Sequence, residues 1–280
     1  MTKIKVITDS SIQITDEEIK KYDITVIPLS IDFNGKVYVD GEDLSRTEFV
    51  KKMDESAELP KTSQPPLGEF VKVYDSLKGN DVKILGIFMA HTLSGTVDSA
   101  RQAAEMTDAD VTVIDSEFTD RAMAFQVIEA AKMAQNDDNL EDILKEINKI
   151  KGNTHLQMGV TNLKNIVKGG RLGKVAGTIS TFLKINIALQ MKDSKLDVVK
   201  KGRGVKTLEK YFDNVIDQIV HTKNLAEVAI SYVDDTKFPD WIEDKIHETL
   251  PDLKIMKRVT SPIISTHAGS GAFAILYYSN

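Results

Sequence analysis

One stretch constrains this chain more than any other: Leu85-Gly86-Ile87-Phe88-Met89-Ala90-His91-Thr92-Leu93-Ser94-Gly95-Thr96-Val97-Asp98-Ser99-Ala100. It opens as a continuous apolar run, the pattern of a strand buried on both faces, and passes through hydroxyl and glycine residues into Val97, Ala100, Ala103 and Ala104 at helical spacing. The order is strand, tight loop, helix. In an open α/β sheet, ligands bind at the carboxyl ends of strands, where the next helix offers unpaired N–H groups to an anion. Ser94 and Thr96 would stand there as hydroxyl donors, and Gly95, without a Cβ, would let a ligand approach the backbone. The competing reading makes Ser94 a helix cap and nothing more.

The flanking sequence repeats the same unit. Ile4, Val6 and Ile7 form a strand pattern that ends at Thr8-Asp9-Ser10-Ser11, followed by a charged helical stretch over Asp16 to Lys21. Ile24 to Ile31 reads as a second strand, and Asn34-Gly35 as the turn of a two-residue hairpin. Ser45 with Glu48 predicts a capping box for a helix through Met53. Prolines on both sides of Thr62-Ser63-Gln64 predict a stiff, extended loop, with Pro66 opening a helix through Leu77. Val111 to Ile114 gives a further strand, then helices over Arg121 to Met133 and Leu140 to Ile150. Such alternation predicts a mostly parallel sheet covered on both faces, in a first domain over residues 1–152.

The second part, residues 153–280, has a different pattern. His155 to Val160 is strand-like, Lys168-Gly169-Gly170-Arg171 ends a helix in a loop, and Ile185 to Met191 with Leu196 to Val199 flank Asp193-Ser194 as an antiparallel hairpin. An amphipathic helix places Leu208, Phe212, Val215, Ile216 and Ile219 on one face. Strand, helix and strand follow over Val228 to Val233, Trp241 to Leu250 and Leu253 to Val259. Thr260 to Gly271 reads as a polar loop carrying His267, before a last strand over Ala272 to Tyr278.

Composition narrows the function. The 280 residues, 41% hydrophobic, suit two globular domains, and a formal charge of −6 argues against a nucleic-acid-binding surface. The absence of cysteine excludes disulfides and thiolate chemistry and fits a cytoplasmic protein. Neither a secretory signal nor an apolar run long enough to cross a bilayer is present. Gly173-Lys174 lacks the earlier glycine of a phosphate loop and is followed by Val175, and no G-x-G-x-x-G follows a strand. His91, His155, His221, His247 and His267 show no ligand spacing, so no metal is expected. Ser94 and His267 with Asp9 or Asp115 could form a hydrolase triad, although the G-x-S-x-G elbow is missing. Arg171 and Arg203, each beside glycines, could approach a phosphate or a partner or be solvated surface charges.

Thr8-Asp9-Ser10, Thr62-Ser63-Gln64-Pro65, Leu93-Ser94-Gly95-Thr96, Val113-Ile114-Asp115-Ser116, Lys168-Gly169-Gly170-Arg171 and His267-Ala268-Gly269-Ser270-Gly271 together resemble the DegV family, in that family's order and over essentially the whole chain. The resemblance implies an N-terminal α/β domain, a C-terminal α+β domain with an antiparallel sheet, and a long-chain fatty acid held between them. It further implies a non-catalytic role as the fatty-acid-binding subunit of a bacterial fatty acid kinase, whose separate ATP-dependent subunit phosphorylates the carboxylate to an acyl phosphate. Carried over by motif, Thr62, Ser94 and His267 would bind the carboxylate, with Ser63, Gly95 and Thr96 in support. Arg171 and Arg203 would face the kinase, and no cofactor is implied. A stand-alone hydrolase or a lipid-responsive regulator is the alternative. The chain departs from the family's usual pattern at His91, Asn186-Ile187, Ser270 and Thr119-Asp120-Arg121.

Overall fold

The computed structural model describes residues 3–56, 58–172 and 185–280; Gly173-Lys174 lies outside the described residues. Two compact units result. The segments through Asp43 and Lys61–Gly152 form one, and Leu44–Pro60 with Asn153–Asn280 form the other. Residues 44–60 thus group with the second unit, whereas the sequence reading runs the first domain unbroken to 152.

In the first unit, β1 (Lys3–Asp9) and β2 (Thr25–Ile27) share a four-stranded, wholly parallel sheet with β6 (Val82–Phe88) and β7 (Asp110–Asp115), in the order β2-β1-β6-β7. Helices α1 (Asp16–Tyr22), α3 (Leu67–Leu77), α4 (Thr96–Ala104), α5 (Asp120–Gln135) and α6 (Leu140–Gly152) complete this unit. Ile84, Leu85, Ile87 and Phe88 are fully buried, as a strand covered on both faces demands. Ile7, Ile27, Phe70, Tyr74, Ile84, Phe88, Val97, Ala100 and Ala103 form one core cluster, and the Tyr74 hydroxyl donates to the Ala100 carbonyl at 3.0 Å. The small alanines let α4 lie close to the sheet.

The expected strand over Ile24 to Ile31 is in fact two. It breaks at Pro28-Leu29, so that β3 (Ser30–Phe33) leaves the parallel sheet and joins β4 (Lys36–Val39) and β5 (Lys61–Ser63) in a separate antiparallel sheet. A proline lacks the N–H that an unbroken strand needs. Asn34 and Gly35, at φ +53° and +79°, make the expected tight hairpin turn. Thr62 and Ser63, expected in a loop, instead form β5 and pair with Ile31 and Ser30.

The second unit is built on a six-stranded sheet. It contains β8 (Thr154–Val160), β9 (Asn186–Lys192), β10 (Lys195–Gly202), β11 (Leu225–Tyr232), β12 (Ile255–Val259) and β13 (Ala272–Ser279), in the order β10-β9-β8-β13-β11-β12. Every pairing is antiparallel except β11 with β12, which the crossover helix between them makes parallel. Counting from α2 (Arg46–Glu55), capped by the expected Ser45–Glu48 box, this unit's helices are α7 (Lys164–Lys168), α8 (Lys206–Val220), α9 (Lys237–His247) and α10 (Pro262–Ala268). The apolar face of α8, including Leu208, Phe212 and Ile219, packs into a core with Ile230, Ile242, Phe273 and Ile275. Helix α10 packs on α7 and α2. His267 therefore stands on a helix and not in a loop. Ser261 caps that helix by accepting from the Ile264 N–H at 3.3 Å, and Pro262 takes its first turn.

Candidate functional site

In the first unit, the carboxyl ends of three neighbouring strands are tied together before any side chain is displayed. Asp9, at the end of β1, is fully buried; its Oδ1 accepts from the Ser11 N–H at 2.9 Å and the Ser11 hydroxyl at 2.5 Å, and its Oδ2 accepts from the Met89 N–H at 2.8 Å. Burial pushes its carboxyl above the ordinary range, with the Ser11 and Met89 donors acting against that shift. The Ser116 N–H donates to the Phe88 carbonyl at 3.0 Å and the Ala90 N–H to the Phe118 carbonyl at 2.8 Å, so the end of β7 holds the same loop. From that fixed base the chain turns once, as the N–H groups of Leu93 and Ser94 both donate to the Ala90 carbonyl.

Ser94 then meets the start of α4. Its Oγ lies 2.8 Å from the Thr96 Oγ1 and accepts from the Thr96 N–H at 3.3 Å. The N-cap is Gly95, with no side-chain cap, so Ser94 is not the cap of the plainer reading; from one residue before it, the Ser94 hydroxyl meets the first N–H of α4 as one of a hydroxyl pair. Thr62 stands half-buried in β5, and Ser63 is exposed. Two residues on, the Gln64 Nε2 donates to the Ser99 Oγ in α4. Gly95 is exposed, and a Cβ there would run into the Gln64 carboxamide. The close neighbour that Gly95 admits is thus Gln64, which holds the segment carrying Thr62 and Ser63 against the helix that Ser94 opens.

In the second unit, His267 gathers with Arg171. A Cβ at Gly169 would lie 2.8 Å from the His267 Nδ1, and the Arg171 guanidinium donates to the Gly169 carbonyl at 2.7 Å. Burial first, and the Arg171 charge second, push His267 down to about 4, so its imidazole is neutral at pH 7. Burial also lowers Arg171. Gly269, at φ +78°, ends α10 against Asn165, whose Nδ2 donates to the Thr266 carbonyl at 3.0 Å. Ser265, two residues before His267, is fully buried and its hydroxyl has no partner among the described residues. Arg203 is exposed in the turn after β10, its carbonyl accepting from the Thr207 hydroxyl at 3.2 Å.

The acids considered for a triad are otherwise engaged. Asp9 holds Ser11 and Met89, and Asp115 Oδ2 lies 2.7 Å from the His91 Nδ1. Sequence reasoning passed over Gln64 and the clamp made by Asp9. The departures have local explanations: Ser270 donates to Asp234, whose Oδ1 also accepts from the Gly271 N–H at 2.7 Å, and Ile187 is buried in β9. Arg121 forks onto Glu18 at 2.9 and 2.7 Å and donates to the Gln13 carbonyl at 3.2 Å. Burial opposes ionisation of Glu18, yet Arg121 and the Thr15 N–H together hold it below the usual carboxylate range. Among the described residues no three His, Asp or Glu side chains gather to hold a metal ion, and no helix is long and apolar enough to cross a membrane.

A parallel α/β unit displaying hydroxyls at its strand ends and a second unit with a mostly antiparallel sheet define a two-unit α/β protein. The DegV family model matches residues 3–280, and the chain belongs to the DegV family. It is 44% identical over 279 residues to a DegV domain-containing protein of Streptococcus pneumoniae, spanning 99% of this chain and 98% of that one. Among solved structures it resembles that of "DegV, a fatty acid binding protein from Bacillus subtilis", with a TM-score of 0.91, 28% identity and complete coverage of both chains. The Streptococcus pneumoniae fatty acid kinase B3 protein, solved loaded with linoleic acid, shares the fold at a TM-score of 0.81 and 23% identity, over 99% of this chain and 100% of that one.

Proposed function

We propose that this chain binds a long-chain fatty acid in an internal tunnel and presents its carboxylate to a separate ATP-dependent kinase subunit, which phosphorylates it to an acyl phosphate. On this reading the chain is the non-catalytic, cytoplasmic subunit. Thr62, Ser94 and His267 hold the head group, Ser63, Gly95 and Thr96 support it, and Arg171 and Arg203 face the kinase. The observation that carries the reading is the Ser94–Thr96 hydroxyl pair at the start of α4, held beside the Thr62 segment by Gln64. The 28% identity to a fatty-acid-binding DegV protein supports the ligand class.

The chemistry is consistent. A desolvated carboxylate left without donors costs several kcal/mol, and two hydroxyls with a neutral imidazole, which retains one N–H, meet that need without a full positive charge. The apolar tail contributes roughly 0.8 kcal/mol per buried methylene. Mass spectrometry of lipid extracted from the purified protein tests the ligand class, and recovery of no fatty acid would sink it. Ser94→Ala and Thr62→Ala should each weaken fatty acid binding about tenfold, the loss of one hydrogen bond to a charged group; unchanged affinity in both removes the head-group assignment. Arg203→Ala should keep lipid binding but slow phosphorylation when kinase is supplied, and equal rates would remove Arg203 from that role.

A further inference from the structure

His91 is the one departure whose partner equips it for chemistry. Asp115 accepts from the His91 Nδ1 at 2.7 Å and from the His91 main-chain N–H at 3.2 Å, while its other oxygen accepts from the Glu117 N–H at 2.7 Å. Held at two points by a carboxylate that is itself anchored, the imidazole has little freedom to turn. A carboxylate only accepts, so Nδ1 carries the proton and Nε2 of the neutral ring carries a lone pair. The side chain of His91 is 54% exposed and that of Asp115 14%. An exposed ring whose inner nitrogen is held by a shielded acid offers its outer nitrogen to whatever lies above the loop.

Ser94 lies three residues further along that loop. The bond from the Ser94 N–H to the Ala90 carbonyl, 3.3 Å, closes a single helical turn. That turn runs through His91 and ends at Ser94, so the two residues bracket one short loop. We propose that Asp115 and His91 form a general-base dyad that hydrolyses an activated acyl group whose head is held at Ser94. This rests on the lipid reading above and adds to it an activity on the acyl phosphate, the chain remaining non-catalytic in the phosphorylation itself. With an acyl phosphate, His91 Nε2 takes a proton from a water as the water oxygen bonds to the acyl carbon. The bond from that carbon to the phosphate oxygen breaks, and phosphate leaves with the electron pair and takes up the imidazolium proton. The carboxylic acid so formed ionises to solvent, leaving a fatty acid carboxylate and inorganic phosphate. No other reactant is needed.

The test uses the full chain without kinase, in excess over synthetic hexadecanoyl phosphate, and follows inorganic phosphate release alongside hexadecanoate binding. Wild type should release phosphate about a hundredfold faster than His91→Gln, the usual contribution of a general base, while Asp115→Asn falls between them. Because His91 is exposed, His91→Gln should fold and bind hexadecanoate as wild type does. Equal release by wild type and His91→Gln, with binding intact in both, overturns the dyad and leaves the lipid reading standing. Failure of wild type to bind hexadecanoate takes down both.

Discussion

The Ser94 loop and the His267 helix hold their polar groups by different means. At Ser94, hydrogen bonds do the placing: Asp9 grips Met89, Ser116 and Phe118 grip Phe88 and Ala90, and Gln64 grips Ser99. At His267, close packing does it, with the bare Cα of Gly169 against the ring, Gly269 closing the helix at positive φ, and burial stripping the imidazole of its charge. A hydroxyl keeps its donor at any physiological pH, whereas an imidazole's charge depends on its surroundings. The first region should therefore fail when a bond is deleted, and the second when a proton is added.

The largest expected effect breaks the first region at its base. Asp9→Ala leaves the buried N–H groups of Ser11 and Met89 without an acceptor and should cost about 3–4 kcal/mol of stability, read from urea unfolding. A loss below about 1 kcal/mol would show that the strand ends are held by packing and not by this carboxylate. The second effect sets proton against bond. The unfolded chain protonates His267 near 6.5 and the folded chain only near 4, so this contribution to stability is complete above pH 6.5 and is lost as the pH falls toward 4. The loss approaches about 3 kcal/mol over that window. Burial of Asp9 works in the opposite sense, since its raised carboxyl favours the folded state as the pH falls. Subtracting the His267→Gln profile from that of wild type isolates the histidine; identical profiles would mean that its ring is not desolvated.

Much of the first region was legible because its signals are local. The apolar run over Leu85 to Phe88, the glycine and hydroxyls after it and the alanines of α4 lie in one stretch, and the strand, loop and helix stand where that pattern predicts. What holds the loop was not legible, because Asp9 and Met89 lie 80 residues apart and bond through a main-chain N–H that has no residue signature. The break at Pro28-Leu29 had its signal in the proline, but the apolar residues on both sides outweighed it. In the second region, Ser261-Pro262 is a helix start that could have been read. The helix over Pro262–Ala268 has only seven residues, too few for periodicity to declare itself, and its serines and threonines resemble a loop. His91 and Asp115 were each visible, yet only the turn at Ala90 and the strand pairing of Phe88 with Asp115 make them a pair.

The smallest expected effect sharpens the comparison, because it tests whether the first region's bonds act on the ligand or only on the fold. Gln64 is exposed, so truncating it creates no cavity and removes one hydrogen bond to the Ser99 hydroxyl, a cost of about 1 kcal/mol. If that bond also holds the Thr62 segment against α4, Gln64→Ala should weaken fatty acid binding a few fold, less than Ser94→Ala does. Ser99→Ala should do the same, and the double variant should be no worse than either single one, since both remove the same bond. Additive losses in the double variant, measured by fatty acid titration, would mean that Gln64 and Ser99 act separately and that the Thr62 segment, paired with β3, does not depend on their bond.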